Sequence, residues 1–209
     1  MCKRLKVCLV IIGDEILSGK RADKHFSNCR DLLANRGLST HTVLYIKDDF
    51  ESIEKTLRFC LSQEYIIFSF GGIGSTPDDL TRLACAKAFG GELEPHQGAI
   101  KLITKRCSEM EIELTESRLE MANLPQRASL IPNPISGFPG FSVNHYHFLP
   151  GFPDMAYSMM EWVLDNNYSD YFQTFYECDF SYKVSGIYES SISRFLESLK
   201  EKYPNFSIY

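Results

Sequence analysis

The sequence predicts an α/β fold: a mostly parallel sheet covered on both faces by helices, with a short α+β appendage at the C-terminal end. Three observations carry this reading. Apolar runs such as Val7–Ile12 are continuous rather than alternating, so both faces of the strand need cover. Strand-like and helix-like segments alternate three times before residue 91. The connections between them are short, which suits right-handed crossovers between parallel strands.

The elements follow in order. Val7–Ile12 ends at Gly13, with Asp14 and Glu15 where the strand would stop. Asp23 is placed to cap a helix over 24–35 that carries Phe26, Cys29 and Leu33 on one face and stops at Gly37. Residues 42–46 read as a second strand, closed by Asp48-Asp49. Over 50–62, Ile53, Leu57, Cys60 and Leu61 recur at helical spacing. Residues 65–70 form a third strand that runs straight into Gly71-Gly72-Ile73-Gly74. A helix over 78–89 places Leu80, Leu83, Ala84 and Ala88 on one stripe and ends at Gly90-Gly91.

Residues 96–123 read as one or two helices. From 124 to 145 prolines and glycines crowd together, which predicts extended, loop-rich structure with short strands at 130–131 and 141–143. Another short strand at 146–149 is closed by Pro150-Gly151-Phe152-Pro153. A helix follows, burying Ala156, Met159, Met160 and Val163, with Trp162 also expected in the core. The domain division falls at residue 170: 1–170 make the main domain and 171–209 a small or truncated α+β segment. Its helix, over 188–202, sets Ile192, Phe195, Leu196 and Leu199 in register between strands at 175–184 and 205–209. One helix between two strands is too little to bury a core by itself.

Composition narrows the function. The chain has 209 residues, 44% of them hydrophobic and 13% aromatic, which excludes a disordered polypeptide. Net charge is −5 and no basic run occurs, which argues against nucleic acid as the main partner. The first apolar run is far too short to span a membrane and too β-like for a signal peptide. Seven cysteines, an odd number at wide gaps with no C-x-x-C pair, read as buried free thiols in a reducing cytoplasm.

The strongest chemical signal is Gly71-Gly72-Ile73-Gly74-Ser75-Thr76-Pro77-Asp78-Asp79-Leu80-Thr81. Glycines at a strand end let backbone approach a ligand closely. Ser75 and Thr76 add hydroxyl donors, and the following helix is expected to turn its N-terminus toward the loop, making an anion site. The run is neither a Walker A loop nor a G-x-G-x-x-G fingerprint. Acidic residues in a first helical turn are favoured by the dipole alone, by ~0.3–1 kcal/mol, which accounts for one of Asp78 and Asp79. Two of them beside a phosphate loop repel the ligand unless a cation intervenes, and Mg²⁺ binds through one or two carboxylates plus substrate phosphates. Asp14, Glu15, Asp48 and Asp49 lie after the first two strands, so six carboxylates are expected on one rim, where ligands of parallel sheets bind. Asp49 is expected to cap the next helix, whereas no helix is expected directly after Asp14. The five histidines have no metal-ligand spacing, and His145 and His147 read as surface residues of a strand. The turn at Pro150 and Gly151 serves equally as a simple tight turn or as a second place where bare backbone meets a ligand.

Together, Gly13-Asp14-Glu15-Ile16-Leu17-Ser18-Gly19, Asp48-Asp49, the Gly71–Thr81 run and Leu149-Pro150-Gly151-Phe152-Pro153 resemble the molybdopterin-binding-like (MoCF biosynthesis) superfamily, within it the N-terminal domain of the CinA-like competence/damage-inducible proteins. The resemblance covers roughly residues 5 to 165. It implies a three-layer α/β/α fold and a site for a phosphate-bearing pterin or nucleotide. By motif position, the catalytic aspartates of the molybdopterin adenylyltransferase branch fall on Asp48 and Asp79. The resemblance associates CinA-type proteins with metal-dependent cleavage of dinucleotide pyrophosphates, and it implies a homo-oligomer. Phe152 stands where a small or β-branched residue is common in this turn.

Two readings follow. In the first, the chain is a hydrolase of a nucleotide pyrophosphate such as ADP-ribose or FAD. Gly71, Gly72, Gly74, Ser75, Thr76, Gly13, Pro150 and Gly151 hold the ligand, Asp48 and Asp79 act catalytically, and Asp14, Glu15, Asp78 and Asp79 hold Mg²⁺ or another divalent metal. In the second, it binds molybdopterin without chemistry.

Overall fold

The computed structural model describes residues 5–173, 181, 183 and 185–204. The chain divides into two compact units, 1–176 and 177–209. In the first, the elements run β1 (Val7–Ile12), α1 (Asp14–Leu17), α2 (His25–Ala34), β2 (Thr40–Ile46), α3 (Phe50–Ser62), β3 (Ile66–Phe70), α4 (Thr81–Ala88), β4 (Leu93–Pro95), α5 (Gln97–Glu109), α6 (Glu116–Glu120), β5 (Asn123–Pro125), β6 (Ser129–Ile131), β7 (Gly140–Val143), β8 (Tyr146–Leu149) and α7 (Pro153–Asn167). The second unit holds α8 (Glu189–Lys202).

Six strands form one sheet in the order β2-β1-β3-β8-β7-β6. The first four are mutually parallel, and β7 and β6 return antiparallel at one edge. β1 lies between β2 and β3, and every one of its residues is buried. Its side chains alternate between two cores. Cys8, Val10 and Ile12 pack with Ile53, Leu57 and Cys60 of α3, Ala84 and Cys85 of α4 and Ile103 of α5. Val7, Leu9 and Ile11 pack with Cys29, Leu32 and Leu33 of α2 and Ala156, Met159, Met160 and Val163 of α7. This is the three-layer arrangement the sequence implies. Cys8, Cys29, Cys60, Cys85 and Cys107 are buried free thiols.

Local chemistry sets the helix ends. Asp23 accepts the N–H groups of His25 and Phe26 at 2.8 and 3.1 Å, opening α2. Gly37, at φ +67°, ends it and allows Leu38 N–H to reach Leu33 C=O. Asp49 caps α3 through Ser52 N–H at 2.8 Å, as expected. Arg36 joins α2 to α7, donating to Asp165 at 2.8 Å and Glu161 at 3.2 Å.

The structure corrects several expectations. Phe26 and Trp162 are exposed; α2 instead buries His25, Cys29, Leu32 and Leu33. The helix expected from residue 78 begins at Thr81, because residues 78–80 stay in the turn that shapes the loop before it. In this helix Leu83 faces outward, 49% exposed, and Arg82 inward, 8% exposed. β4 and β5 form a separate two-stranded antiparallel sheet that the sequence did not announce. In the second unit, Ile192, Leu196 and Leu199 of α8 are half-buried, but Phe195 is exposed. The strand expected at 175–184 falls mostly, and that at 205–209 wholly, outside the described residues. Among the described residues no helix is long and apolar enough to cross a membrane.

Candidate functional site

The parallel pairing of β1, β2 and β3 brings their C-terminal ends to one rim. Gly13 N–H bonds Ile46 C=O at 3.2 Å, and Gly71 N–H bonds Leu149 C=O at 3.0 Å, so the loops after β1, β3 and β8 leave the sheet side by side. A cavity of about 590 Å³ opens there, lined by the 71–76 loop, the 150–152 turn, Glu15, Asp48, Asp78 and Asp79, with Arg118, Phe138 and Pro139 among its other walls.

The loop's own hydrogen bonds fix which way its peptides face. Thr81 donates its hydroxyl to Gly71 C=O at 3.0 Å and its N–H to Gly72 C=O at 3.0 Å. Arg82 Nη1 donates to Ile73 C=O at 2.5 Å and Gly74 C=O at 2.6 Å. Four consecutive carbonyls are therefore held on the α4 side. Every peptide here is trans, and in a trans peptide the N–H points opposite to the C=O. The N–H groups of Gly72, Ile73, Gly74 and Ser75 thus point away from α4, and among the described residues none of them has a hydrogen-bond partner. Successive N–H groups turned to one side have the geometry of a nest, a concavity of the kind that suits anions. Two glycines are required by its geometry. Gly71 sits at φ +108°, where a Cβ would lie 2.9 Å from Ile12 C=O, and Gly72 sits at φ +68°, where a Cβ would collide with the Thr81 hydroxyl.

Arg82 was missed by sequence reasoning, since an arginine in a helix ordinarily reads as solvent-facing. Burial pushes its pKa below the ordinary guanidinium value, offset only in part by Asp79 and Glu120, and the ordinary value is so high that the guanidinium stays charged at the back of the loop.

The carboxylates are divided in their roles. Asp79 Oδ2 accepts both the N–H and the hydroxyl of Thr76, at 2.8 and 2.7 Å, which closes the loop. Asp48 lines the cavity, and its Oδ1 is buried without a hydrogen-bond partner. Its pKa is pushed up to about 6, first by burial and then by Asp79, Asp78, Asp14 and Glu15. Asp49 turns away to cap α3, so five carboxylates rather than six share the rim. Asp14 opens the one-turn helix α1, contrary to the expectation that no helix starts there, and it does not line the cavity. Glu15 pairs with Arg21 at 3.5 Å. The four-carboxylate metal cradle expected of Asp14, Glu15, Asp78 and Asp79 is thus not gathered. Among the described residues no three His, Cys, Asp or Glu side chains come together as a metal group.

The 150–152 turn forms the facing lip. A Cβ on Gly151 would lie 3.6 Å from Gly71 Cα, so turn and loop lie close together. Buried His25 donates from Nε2 to Gly151 C=O at 3.3 Å and stacks on Phe70 with centroids 4.7 Å apart. Its pKa is lowered by burial, which favours the neutral ring. Asn133 shapes the opposite wall, its Oδ1 accepting the N–H groups of Ile135 and Ser136 at 3.1 Å. The Asn133-Pro134 pair is the turn signal that could have revealed it.

His147 lies outside this site and is not the surface residue expected. It is fully buried, with Nδ1 2.8 Å from Ser142 Oγ and Nε2 2.8 Å from Tyr168 Oη. Burial and neighbouring His145 pull its pKa down to about 3, so it serves as a neutral structural bridge.

The family described as "Probable molybdopterin binding domain" matches residues 8–168. A protein of Sulfurisphaera tokodaii is 30% identical over 203 residues, covering 93% of this chain and 76% of its own length. A CinA-like protein of Citrifermentans bemidjiense is 32% identical over 197 residues, which cover 92% of this chain. The matching segment spans only 47% of that relative. The crystal structure of the protein CinA from Thermoplasma acidophilum, titled as of unknown function, superposes with a TM-score of 0.69 at 25% identity, covering 78% of this chain and 98% of its own. With the family match running from the second residue of β1 to the end of α7, and so through the whole cavity, this chain belongs to the probable molybdopterin-binding domains and is similar to the CinA-like proteins.

Proposed function

We propose that the cavity binds a phosphate-bearing nucleotide or pterin and cleaves a nucleotide pyrophosphate of the ADP-ribose or FAD type with a divalent cation. The observation that carries this is the run of four unpartnered N–H groups at Gly72–Ser75 beside a carboxylate-rich wall. Such a loop fits a phosphate, and the acidic wall then needs a positive charge between the two.

The residues fit a cation that arrives on the ligand's phosphates better than one caged by protein alone. Asp48 offers a buried oxygen with no partner, and Asp79, whose charge acts on it, lines the same cavity with Oδ2 already engaged by Thr76. Asp48 and Asp79 would hold Mg²⁺, which when bound polarises the phosphoryl oxygen and makes water a better nucleophile. The protein's share is positioning. The loop N–H groups neutralise phosphate charge without reorganising, because Thr81 and Arg82 have already set the peptides. The 150–152 turn closes the opposite side.

The family description favours a second reading, in which the same nest holds molybdopterin without chemistry. Product release from ADP-ribose, FAD and NAD, each with Mg²⁺, Mn²⁺ or Co²⁺, separates the two. Turnover with one cation supports hydrolysis. No turnover with any cation, together with tight molybdopterin binding, refutes it.

A further inference from the structure

We propose that Phe152 is a stacking platform for the planar heterocycle of the ligand, so that the site reads ring and phosphate together. This rests on the phosphate-binding reading above and deepens it.

Phe152 is 64% exposed, in a chain whose other phenylalanines near the sheet, Phe68, Phe70, Phe141 and Phe148, are all buried. A phenyl ring held in water forgoes the stabilisation of burial. Its exposure is not that of a loose loop. Pro150 and Pro153 restrict the backbone on either side. Gly151 C=O is held by His25 Nε2, and Phe152 C=O accepts Ala156 N–H at 2.9 Å as the first bond of α7. The backbone beneath the ring is thus fixed before any ligand arrives, which lowers the entropy cost of using it.

Its position is the second argument. Phe152 lines the same cavity as the 71–76 loop, one residue after Gly151, which lies close to Gly71. An anion seated on the nest therefore shares one cavity with this ring. The lining of the cavity includes the apolar Met155, Phe138, Pro139 and Met121, beside polar residues such as Arg118 and Asn133. Its apolar part suits a flat heterocycle. The shared chemistry is a planar nitrogen heterocycle joined to phosphate, and adenine and pterin rings both qualify. Every such ring has a π-face, and stacking on an aromatic side chain is worth ~1–3 kcal/mol by alanine substitution.

The test compares ligands that differ only in the ring. Binding of AMP, a pterin monophosphate and ribose 5-phosphate is measured by calorimetry for the wild type, Phe152→Ala, Phe152→Leu and Phe152→Trp. Phe152→Ala is expected to weaken the preferred ring-bearing ligand about tenfold or more while leaving ribose 5-phosphate unchanged. Phe152→Trp should retain affinity and Phe152→Leu should not. Which ring responds tells adenine from pterin. Equal weakening of all three ligands, or full affinity in Phe152→Leu, overturns the platform while leaving the phosphate site standing. A wild type that binds none of the three overturns the phosphate-binding reading itself, and the platform falls with it.

Discussion

Replacing Arg82 with methionine tests whether the anion nest is imposed by the guanidinium behind it. The perturbation removes two bonds from a charged donor to the carbonyls of Ile73 and Gly74 while keeping a long apolar stem in a site only 8% exposed. Hydrogen bonds to charged groups contribute ~1.5–3 kcal/mol each, and relief of the buried charge offsets part of their loss. A net destabilisation of about 3 kcal/mol follows, and for a chain of this size that lowers Tm by about 6–12 °C. The functional effect should be larger than the melt implies. Without Arg82 the two peptides are free to flip, which takes the N–H groups of Gly74 and Ser75 off the ligand. Calorimetric titration with ribose 5-phosphate, well below the variant's Tm, should show at least a tenfold loss of affinity. Arg82→Lys, with one ammonium and no planar fork, should fall between the two. Wild-type phosphate affinity in a folded Arg82→Met protein would refute the argument, because the nest would then form without its support.

Asp48→Asn should separate stability from activity. With the Asp48 pKa held up at about 6, the native state keeps a proton that the unfolded chain has lost between the ordinary carboxylate range and pH 6, so the carboxylate disfavours folding above pH 6. The asparagine variant should therefore melt higher at pH 7.5, by ~1 kcal/mol after solvent screening, with the gain vanishing near pH 4, while metal-dependent turnover is lost. A gain that persists unchanged at pH 4 contradicts this. Gly72→Ala should cost about 2 kcal/mol or more in chemical denaturation, because φ is +68° and the new methyl meets the Thr81 hydroxyl. An unchanged denaturation midpoint would show that the loop relaxes freely. Asp79→Asn should cut turnover about a hundredfold or more with a melt within ~1 kcal/mol of the wild type, whereas Asp78→Asn should change turnover less than about threefold. Metal titrations of both variants check this, and equal effects would remove the distinction between them.

The parts of this fold that were legible in sequence are those where a single periodicity decides the outcome. Phe50–Ser62 was found to the residue, because Asp49 marks its start and Ile53, Leu57 and Cys60 its buried face. The buried strands were found because each reads as one apolar run. The site was legible as a string of glycines and acids, but its working parts were not. The 78–89 segment looks like a helix from its first residue, yet Asp79's bonds to Thr76 hold residues 78–80 in a turn. In the helix that follows, a charged side chain goes inward and a leucine outward. No local pattern announces the choice, because the acceptors that reward Arg82 are carbonyls of a loop eight and nine residues earlier. His147 was misread for a related reason: its partners Ser142 and Tyr168 come from the neighbouring strand and from the end of α7.

The pairing of β3 with β8 has a consequence for how the molecule reaches this state. Ile67 lies beside Tyr146 and Phe70 beside Leu149, residues that are about eighty positions apart along the chain. Leu149 C=O is also what receives the N–H of Gly71, the first glycine of the loop. The N-terminal βαβαβ half can form its crossovers from nearby sequence as it leaves the ribosome, but it then presents β3 as an open edge. The edge is closed, and the two lips of the cavity meet, only when β8 has been synthesised and docks. Completion of the cavity is therefore a late event in folding, and a chain stalled before residue 146 would carry the glycine loop with no opposing wall.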